Sequence, residues 1–370
     1  MTPRRLTPVL RLQECGIIAV ILVLGILLTW FGGTVRAPVF ERGADGARHR
    51  VYETGADGAR VPAFAVRNKF LNAQNLAQLA KDTSFIAIMA VGSALVIISG
   101  GIDLSVGSLY ALASVLGALV LRHLGPEGSG AAHHGWQGIL LAAAACLGAA
   151  AACGAINGAL IVVLRVHPFV VTLGSMAILR GLAFVITSGQ SVGGFPDGLR
   201  ALVRFQAGDG LTVIPLAAMV LATVAGWIFL GRLAAGRRAY AVGGNEQAAR
   251  FSGIRVARVK LLVYTLSGLS AGVAAFLAIG YYGAASSGDG QGYELSVIAA
   301  AVVGGASLSG GRGSALGVVL GALVIQMIGS GIVLLGIDQN YSQIVLGSVV
   351  IAAVVLDNLN TWLARRQFLK

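Results

Sequence analysis

Asp103 is the residue whose chemistry is most exposed to view, because it is acidic and sits among apolar residues. It lies in Gly100-Gly101-Ile102-Asp103-Leu104-Ser105-Val106-Gly107-Ser108. An aspartate at the centre of a membrane-crossing helix costs roughly 2.5–3.5 kcal/mol on insertion scales, so it must face protein or water. Two roles fit those neighbours. Its carboxylate caps a helix beginning at Leu104 by receiving backbone N–H groups, or it lines a path for a polar solute. A second polar break, Gly304-Gly305-Ala306-Ser307-Leu308-Ser309-Gly310-Gly311, has similar composition. Gly100, Gly101, Asp103 and Ser105, with Gly304, Gly305 and Ser307, are therefore the candidate residues of a translocation path or gate.

Catalytic constellations fail. There is no G-x-x-x-x-G-K-[ST] phosphate loop, so the chain is not expected to hydrolyse ATP itself. No H-E-x-x-H occurs, and His133-His134 stands in a polar loop without metal-ligand company. Two G-x-S-x-G matches, Gly189–Gly193 and Gly268–Gly272, fall in a loop and in an apolar run. The nucleophile elbow needs a strand–turn–helix context. Cys15, Cys146 and Cys153 have no disulfide or metal spacing and read as small hydrophobes. The expectation is a chain that is no enzyme and holds no metal or cofactor.

The stretch 241–254 has a different character. Asn245 is placed to cap a short helix and Gly253 to stop it. Ala248, Ala249, Phe251 and Ile254 offer an apolar surface, and Arg250 and Arg255 offer charge. Gly243, Gly244, Asn245, Glu246, Ala248, Arg250, Gly253 and Arg255 form a candidate docking helix. A helix lying on the membrane surface is the alternative.

The elements that must position these groups follow from composition. Of 370 residues, 56% are hydrophobic and 11% charged, whereas soluble domains carry about 25% charged residues. Such a chain needs a bilayer as solvent. A spanning helix takes roughly 20 apolar residues, and continuous apolar runs exclude the alternating pattern of a barrel. The fold class read from the sequence is an all-α integral membrane protein of about ten spans. They lie near 16–32, 84–99, 103–122, 138–163, 168–187, 212–231, 260–280, 293–306, 315–335 and 342–363, the second and eighth being short. Pairs such as Gly154/Gly158, Gly268/Gly272 and Gly317/Gly321 predict close helix packing. The net charge of +12 reflects orientation signals and not nucleic-acid binding. Arg4, Arg5 and Arg11, the seven cations of 232–260, and Arg365, Arg366 and Lys370 all fall on one side of an even span count. The positive-inside rule makes that side cytoplasmic, for both termini as well.

The stretch 33–67 is expected outside, between the first anchor (16–32) and a core of 68–363 whose loop 232–259 faces inward. Gly-Ala-Asp-Gly-Ala-Arg occurs in it twice, at 43–48 and 55–60. Asp-Gly turns around Val51-Tyr52 predict a small hairpin, with a flexible linker as the alternative. A longer repeat relates Gly100–Gly107 to Gly304–Gly311 and Leu116–Val120 to Leu320–Val324, giving two internally related halves.

These residues together resemble a known family. Gly100–Ser108 is similar to the G-G-I-D-L-S-V-G-S signature of ribose-type ABC transporter permeases. Further matches are Gly243-Gly244-Asn245-Glu246, His167–Gly174, Gly292-Tyr293-Glu294-Leu295 and Gly304–Gly313. The resemblance covers roughly 68–358 and implies a permease that pairs with a second copy, as a homo- or heterodimer, in the bacterial inner membrane. It implies a pentose or hexose delivered by a periplasmic sugar-binding protein. It also implies a separate ATP-binding subunit, using ATP and Mg, that docks on 243–255. A stand-alone secondary transporter or channel is the competing reading; it requires intramembrane ionisable residues. The insert near 35–65 is longer than the family pattern.

Overall fold

Continuous apolar runs become long helices. A computed structural model describes residues 12–42, 48–54, 59–124, 135–195, 197–207 and 210–367. Arg4, Arg5, Arg11, His133-His134 and Lys370 lie outside the described residues. The helices are α1 (Leu12–Phe31), α2 (Ala73–Ile98), α3 (Val106–His123), α4 (Gly135–Leu164), α5 (Pro168–Thr187), α6 (Asp197–Val203) and α7 (Val213–Arg232). There follow α8 (Ala234–Gly244), α9 (Glu246–Phe251), α10 (Val256–Tyr282), α11 (Tyr293–Val303), α12 (Ala315–Leu334) and α13 (Ser342–Gln367). Among the described residues, eight helices are long and apolar enough to cross a membrane: α1, α2, α3, α4, α5, α7, α10 and α12. The apolar stretches 293–303 and 339–355 are shorter.

The second span, read as 84–99, is corrected to the 26 residues of α2. Asn72 starts it by accepting the Asn75 N–H at 2.9 Å. Lys81 and Asp82 mask the first part of this helix in a hydropathy reading. In the fold they neutralise each other at 2.7 Å, and the Lys81 ammonium lies 4.5 Å from the Tyr281 ring centroid and 5.4 Å from that of Tyr282. That compensation lets α2 occupy the centre of the bundle, buried without a break from Thr83 to Ile98 against α7, α10, α11 and α12. The eighth span is short, as expected. Its 11 residues reach about 16 Å, roughly half of the hydrocarbon thickness.

Small residues set the helix contacts. The α4–α10 pair is the most extensive, and it is built on Gly154, Gly158, Gly268 and Gly272. A Cβ on Gly268 would lie 3.0 Å from the Ala150 carbonyl carbon and 3.2 Å from the Gly154 Cα. Gly317 and Gly321 do the same for α12 against the Ala300–Gly304 backbone. Because the neighbours are backbone atoms, Gly268→Leu is expected to cost about 1–3 kcal/mol in overpacking. Its melting midpoint in detergent should fall by several degrees, and an unchanged midpoint would refute the close approach.

The expected hairpin between 33 and 67 is a three-armed β module. β1 (Thr34–Pro38) pairs with β6 (Phe64–Asn68), β2 (Phe40–Arg42) with β3 (Arg48–Arg50), and β4 (Tyr52–Thr54) with β5 (Arg60–Pro62), all antiparallel. A ring of backbone bonds joins the arms. Val51 N–H donates to Val39 O, Ala63 N–H to Val51 O, and Val39 N–H to Ala63 O, each at 2.9 Å. These joints recur at the interval of the hexapeptide repeat, so Val51 is a joint and the strand begins at Tyr52. The tips at 43–47 and 55–58 lie outside the described residues.

Candidate functional site

The break between α2 and α3 is made by glycine. After Ile98 the chain closes α2 with Gly100 at φ +82°, and the Gly101 N–H returns to Val96 O at 3.0 Å, a Schellman-type ending. Gly101 has no room for a side chain, since a Cβ would stand 2.6 Å from the Tyr264 Oη. The Tyr264 hydroxyl donates to Ile102 O at 3.1 Å. α3 then begins at Val106, later than the expected Leu104. Its N-cap, Ser105, makes no side-chain cap bond, and Asp103 supplies the acceptor instead. Oδ1 receives the Ser105 N–H at 3.0 Å and the Ser105 hydroxyl at 2.6 Å. Oδ2 receives the Ser267 hydroxyl of α10 at 2.8 Å.

This cap is the centre of a buried relay. Asn157 of α4 donates to Ser105 Oγ at 2.9 Å, and Ser175 of α5 donates to Asn157 Oδ1 at 2.5 Å. Four helices thus meet around one carboxylate that is 1% exposed. Buried polar groups of this kind hold a unique packing only while all members are satisfied.

The second break has the same form. α11 ends with Gly305 at φ +89°, the Gly305 N–H bonds Val302 O, and the Ala306 N–H bonds Ala301 O, both at 2.9 Å. In space Gly305 therefore corresponds to Gly100 and Ala306 to Gly101, one residue away from the sequence alignment. Gly304 instead seats the backbone of α12, with a Cβ position 2.5 Å from Gly317 O. Ser307 N–H donates to Arg312 O at 3.2 Å inside the loop. α12 is capped by Ser314, whose Oγ accepts the Gly317 N–H at 3.0 Å and whose hydroxyl donates to Glu14 of α1 at 2.9 Å. Both breaks open at the same end of the bundle, since the Gly311 N–H donates to Ile98 O at 2.8 Å.

At that end stands the 243–255 segment. Asn245 caps α9 as expected, accepting the Ala248 N–H at 2.9 Å. Gly253, at φ +80°, stops it, and the Ile254 N–H returns to Ala249 O at 3.0 Å. Gly243 and Gly244 precede α9 and end α8, a separate helix. Gly243 is wedged against the breaks, whereas Gly244 is exposed and an added Cβ there meets nothing within 4 Å. A Cβ on Gly243 would lie 2.7 Å from Gly311 N, and one on Gly310 2.6 Å from Gly243 O. A Cβ on Gly100 would be at 3.6 Å from the Gly243 Cα. The Tyr240 hydroxyl of α8 donates to Gly313 O at 2.7 Å.

On α9 itself Ala249 is buried and Phe251 is 90% exposed. Glu246 pairs with Lys260 at 2.7 Å and with Arg250 at 3.1 Å. The Lys260 hydrogen bond, aided by Arg250, holds the Glu246 carboxyl below the usual glutamate range. The pairing is therefore present at neutral pH and is lost only as pH falls through that lowered value. Arg255 stands at the start of α10 without a side-chain cap bond.

Other site residues carried weaker sequence signals. Arg180, a lone cation within α5, donates to Ser287 O at 2.8 Å and Asp289 O at 2.5 Å. It fastens the loop before α11. Glu294 at the start of α11 keeps Oε2 buried and without a hydrogen bond, beside the Gly107 backbone. Asn157, Ser175, Tyr264 and Ser267 sit in apolar runs, where single polar residues are common and give no pattern.

Comparison with known proteins agrees with this architecture. The family model described as "Branched-chain amino acid transport system / permease component" matches residues 75–354. The ribose import permease of Escherichia coli (strain K12) is 40% identical over 291 residues, 78% of this chain and 87% of that protein. The ribose import permease of Bacillus subtilis (strain 168) is 39% identical over 290 residues, 78% and 86% of the two chains. The D-allose transport system permease protein of Escherichia coli (strain K12) is 35% identical over 293 residues, 78% and 85%. No solved structure matches the chain. With the family model spanning most of its length, the chain belongs to the transport-system permease family and is similar within it to ribose import permeases.

Proposed function

We propose that the chain is the membrane-spanning subunit of an ATP-driven importer carrying a monosaccharide, a pentose or hexose, into the cytoplasm. Its similarity to ribose and D-allose permeases supports the substrate class. One observation carries the mechanism: the glycine end of α8 is wedged against both helix breaks. A push on α8–α9 thereby reaches the starts of α3 and α12 together. Interrupted helices in corresponding places are where transporters put their translocation sites. In this reading Gly100, Gly101, Asp103, Ser105, Gly304, Gly305 and Ser307 form the gate, with Asp103 fixing the start of α3.

The same reading has ten spans in a bacterial inner membrane, α11 and α13 completing the eight, with both termini cytoplasmic. The module at 33–67 then faces outward, toward a periplasmic sugar-binding protein. A second permease copy completes the path, and a separate ATP-binding subunit supplies ATP and Mg chemistry. That subunit docks on 243–255, where Phe251 is free to enter its surface.

Glu246→Ala with Arg250→Ala tests the coupling. Exposed ion pairs contribute only about 0–1 kcal/mol to folding, so membrane insertion should be unchanged. Uptake should fall by about tenfold or more, the scale of a lost charge-assisted interfacial contact, and co-purification of the ATP-binding subunit should weaken. Retention of both properties would remove this helix from the coupling route. Uptake by the chain alone in ATP-free vesicles would instead favour a secondary transporter.

A further inference from the structure

The α4–α5 turn and the α9–α10 turn enclose a groove of about 820 Å³. Five cations line it, Arg165, Arg250, Arg255, Arg258 and Lys260, against one carboxylate, Glu246. Lys260 and Arg250 are already engaged with that carboxylate. Among the described residues, Arg165, Arg255 and Arg258 have no acidic partner. Guanidinium groups present paired N–H donors that match phosphate oxygens. Arg165 is also held at φ +54°, a backbone region uncommon for a residue other than glycine.

The back wall is apolar. Ile161, Val162 and Val166 line the groove, and beside them Val163, Leu164 and Val170 are 74%, 60% and 58% exposed on the outer faces of α4 and α5. We propose that this groove binds the headgroup of an anionic phospholipid, its phosphodiester between Arg165, Arg255 and Arg258 and its acyl chains along α4 and α5. A free phosphate has no use for the greasy wall, whereas a lipid occupies both parts of the surface. Basic pockets between spans where helices leave the bilayer suit such headgroups. Phe251 does not line the groove, whereas Glu246, Arg250 and Arg255 of the docking segment do, so a protein partner seated on Phe251 and the lipid share only this edge of the segment. The inference requires only that the ends of α4, α5 and α10 lie at a bilayer surface; it does not depend on the transported solute or on ATP.

The test uses the delipidated full chain in detergent, titrated with phosphatidylglycerol or phosphatidylcholine and read by native mass spectrometry. Phosphatidylglycerol should bind roughly tenfold tighter or more, and Arg165→Gln with Arg258→Gln should bring that preference close to one. Arg165→Lys with Arg258→Lys keeps both charges and should keep much of the preference, which separates loss of the site from misfolding. Absence of a preference in the unaltered chain, or a full preference in the glutamine variant, would overturn the assignment. Glycerophosphoglycerol, a headgroup without chains, should bind far more weakly. Equal binding would make this a soluble-phosphate site instead. If the glutamine variant keeps its lipid preference but loses the ATP-binding subunit, the groove belongs to the protein partner. Lipid binding is read without transport, so its failure and a failure of the importer reading are separate results.

Discussion

Asp103→Ala should lower the melting midpoint of the purified permease by roughly 3–5 °C and cut its yield, while Asp103→Asn should do neither. The alanine removes the acceptor for three buried donors, the Ser105 N–H, the Ser105 hydroxyl and the Ser267 hydroxyl. Serine hydroxyls within helices can turn to a carbonyl one turn back, which relieves part of the loss. The Ser105 N–H has no such freedom, and each buried group left unpaired costs about 1–3 kcal/mol. A total near 3 kcal/mol is a large part of a typical stability of about 5–15 kcal/mol. Asparagine keeps the geometry: its oxygen receives both Ser105 donors and its amide donates to Ser267 Oγ. Uptake by Asp103→Asn should therefore stay within a few-fold of the unaltered chain. A well-folded Asp103→Asn protein that transports nothing would show that the negative charge itself acts on the solute or an ion. That result would sink the account of Asp103 as the fixing point of α3.

How far the sequence disclosed this arrangement depended on whether a signal was local. The Asn245 cap and the Gly253 stop depend on residues a few positions apart, and both were legible. The packing glycines were legible because small residues at helical spacing have few other uses in apolar runs. The polar break around Asp103 was visible too, although the relay through Asn157 and Ser175 was not, since it joins helices distant in sequence. α2 was read too short because Lys81 and Asp82 look like a loop until Tyr281 and Tyr282 close over the lysine. The repeat between 100–107 and 304–311 was visible in composition, but its register in space is shifted by one residue. Helix closure by a left-handed glycine chose Gly100 and Gly305, and only backbone geometry could make that choice. The three-armed module at 33–67 was half legible. The repeated hexapeptide announced two turns, but the ring through Val39, Val51 and Ala63 uses backbone groups of residues with no distinguishing side-chain chemistry.

Gly243→Val should uncouple transport, with Gly244→Ala as its matched control. A Cβ on Gly243 would collide with the Ile98 carbonyl and stand 2.7 Å from Gly311 N. Both obstacles are backbone, one at the end of α2 and one in the α11–α12 loop, and they are bonded to each other at 2.8 Å. No side-chain rotation relieves the clash, so α8 must back away from both breaks or the Gly311–Ile98 bond must open. Overpacking of this kind costs about 1–3 kcal/mol and occasionally more, enough for roughly a ten- to hundredfold loss in a coupled conformational equilibrium. On Gly244 an added Cβ meets nothing within 4 Å, and alanine at the end of a helix is well tolerated. Gly244→Ala should therefore take up sugar like the unaltered chain. Because α9 keeps its cap and its exposed Phe251, the Gly243→Val protein should still co-purify with the ATP-binding subunit. ATP hydrolysis in the assembly should then no longer respond to sugar-loaded binding protein. Normal uptake by Gly243→Val would mean that force does not pass through this glycine contact. Loss of the ATP-binding subunit from Gly243→Val alone would move the contact from transmission to docking.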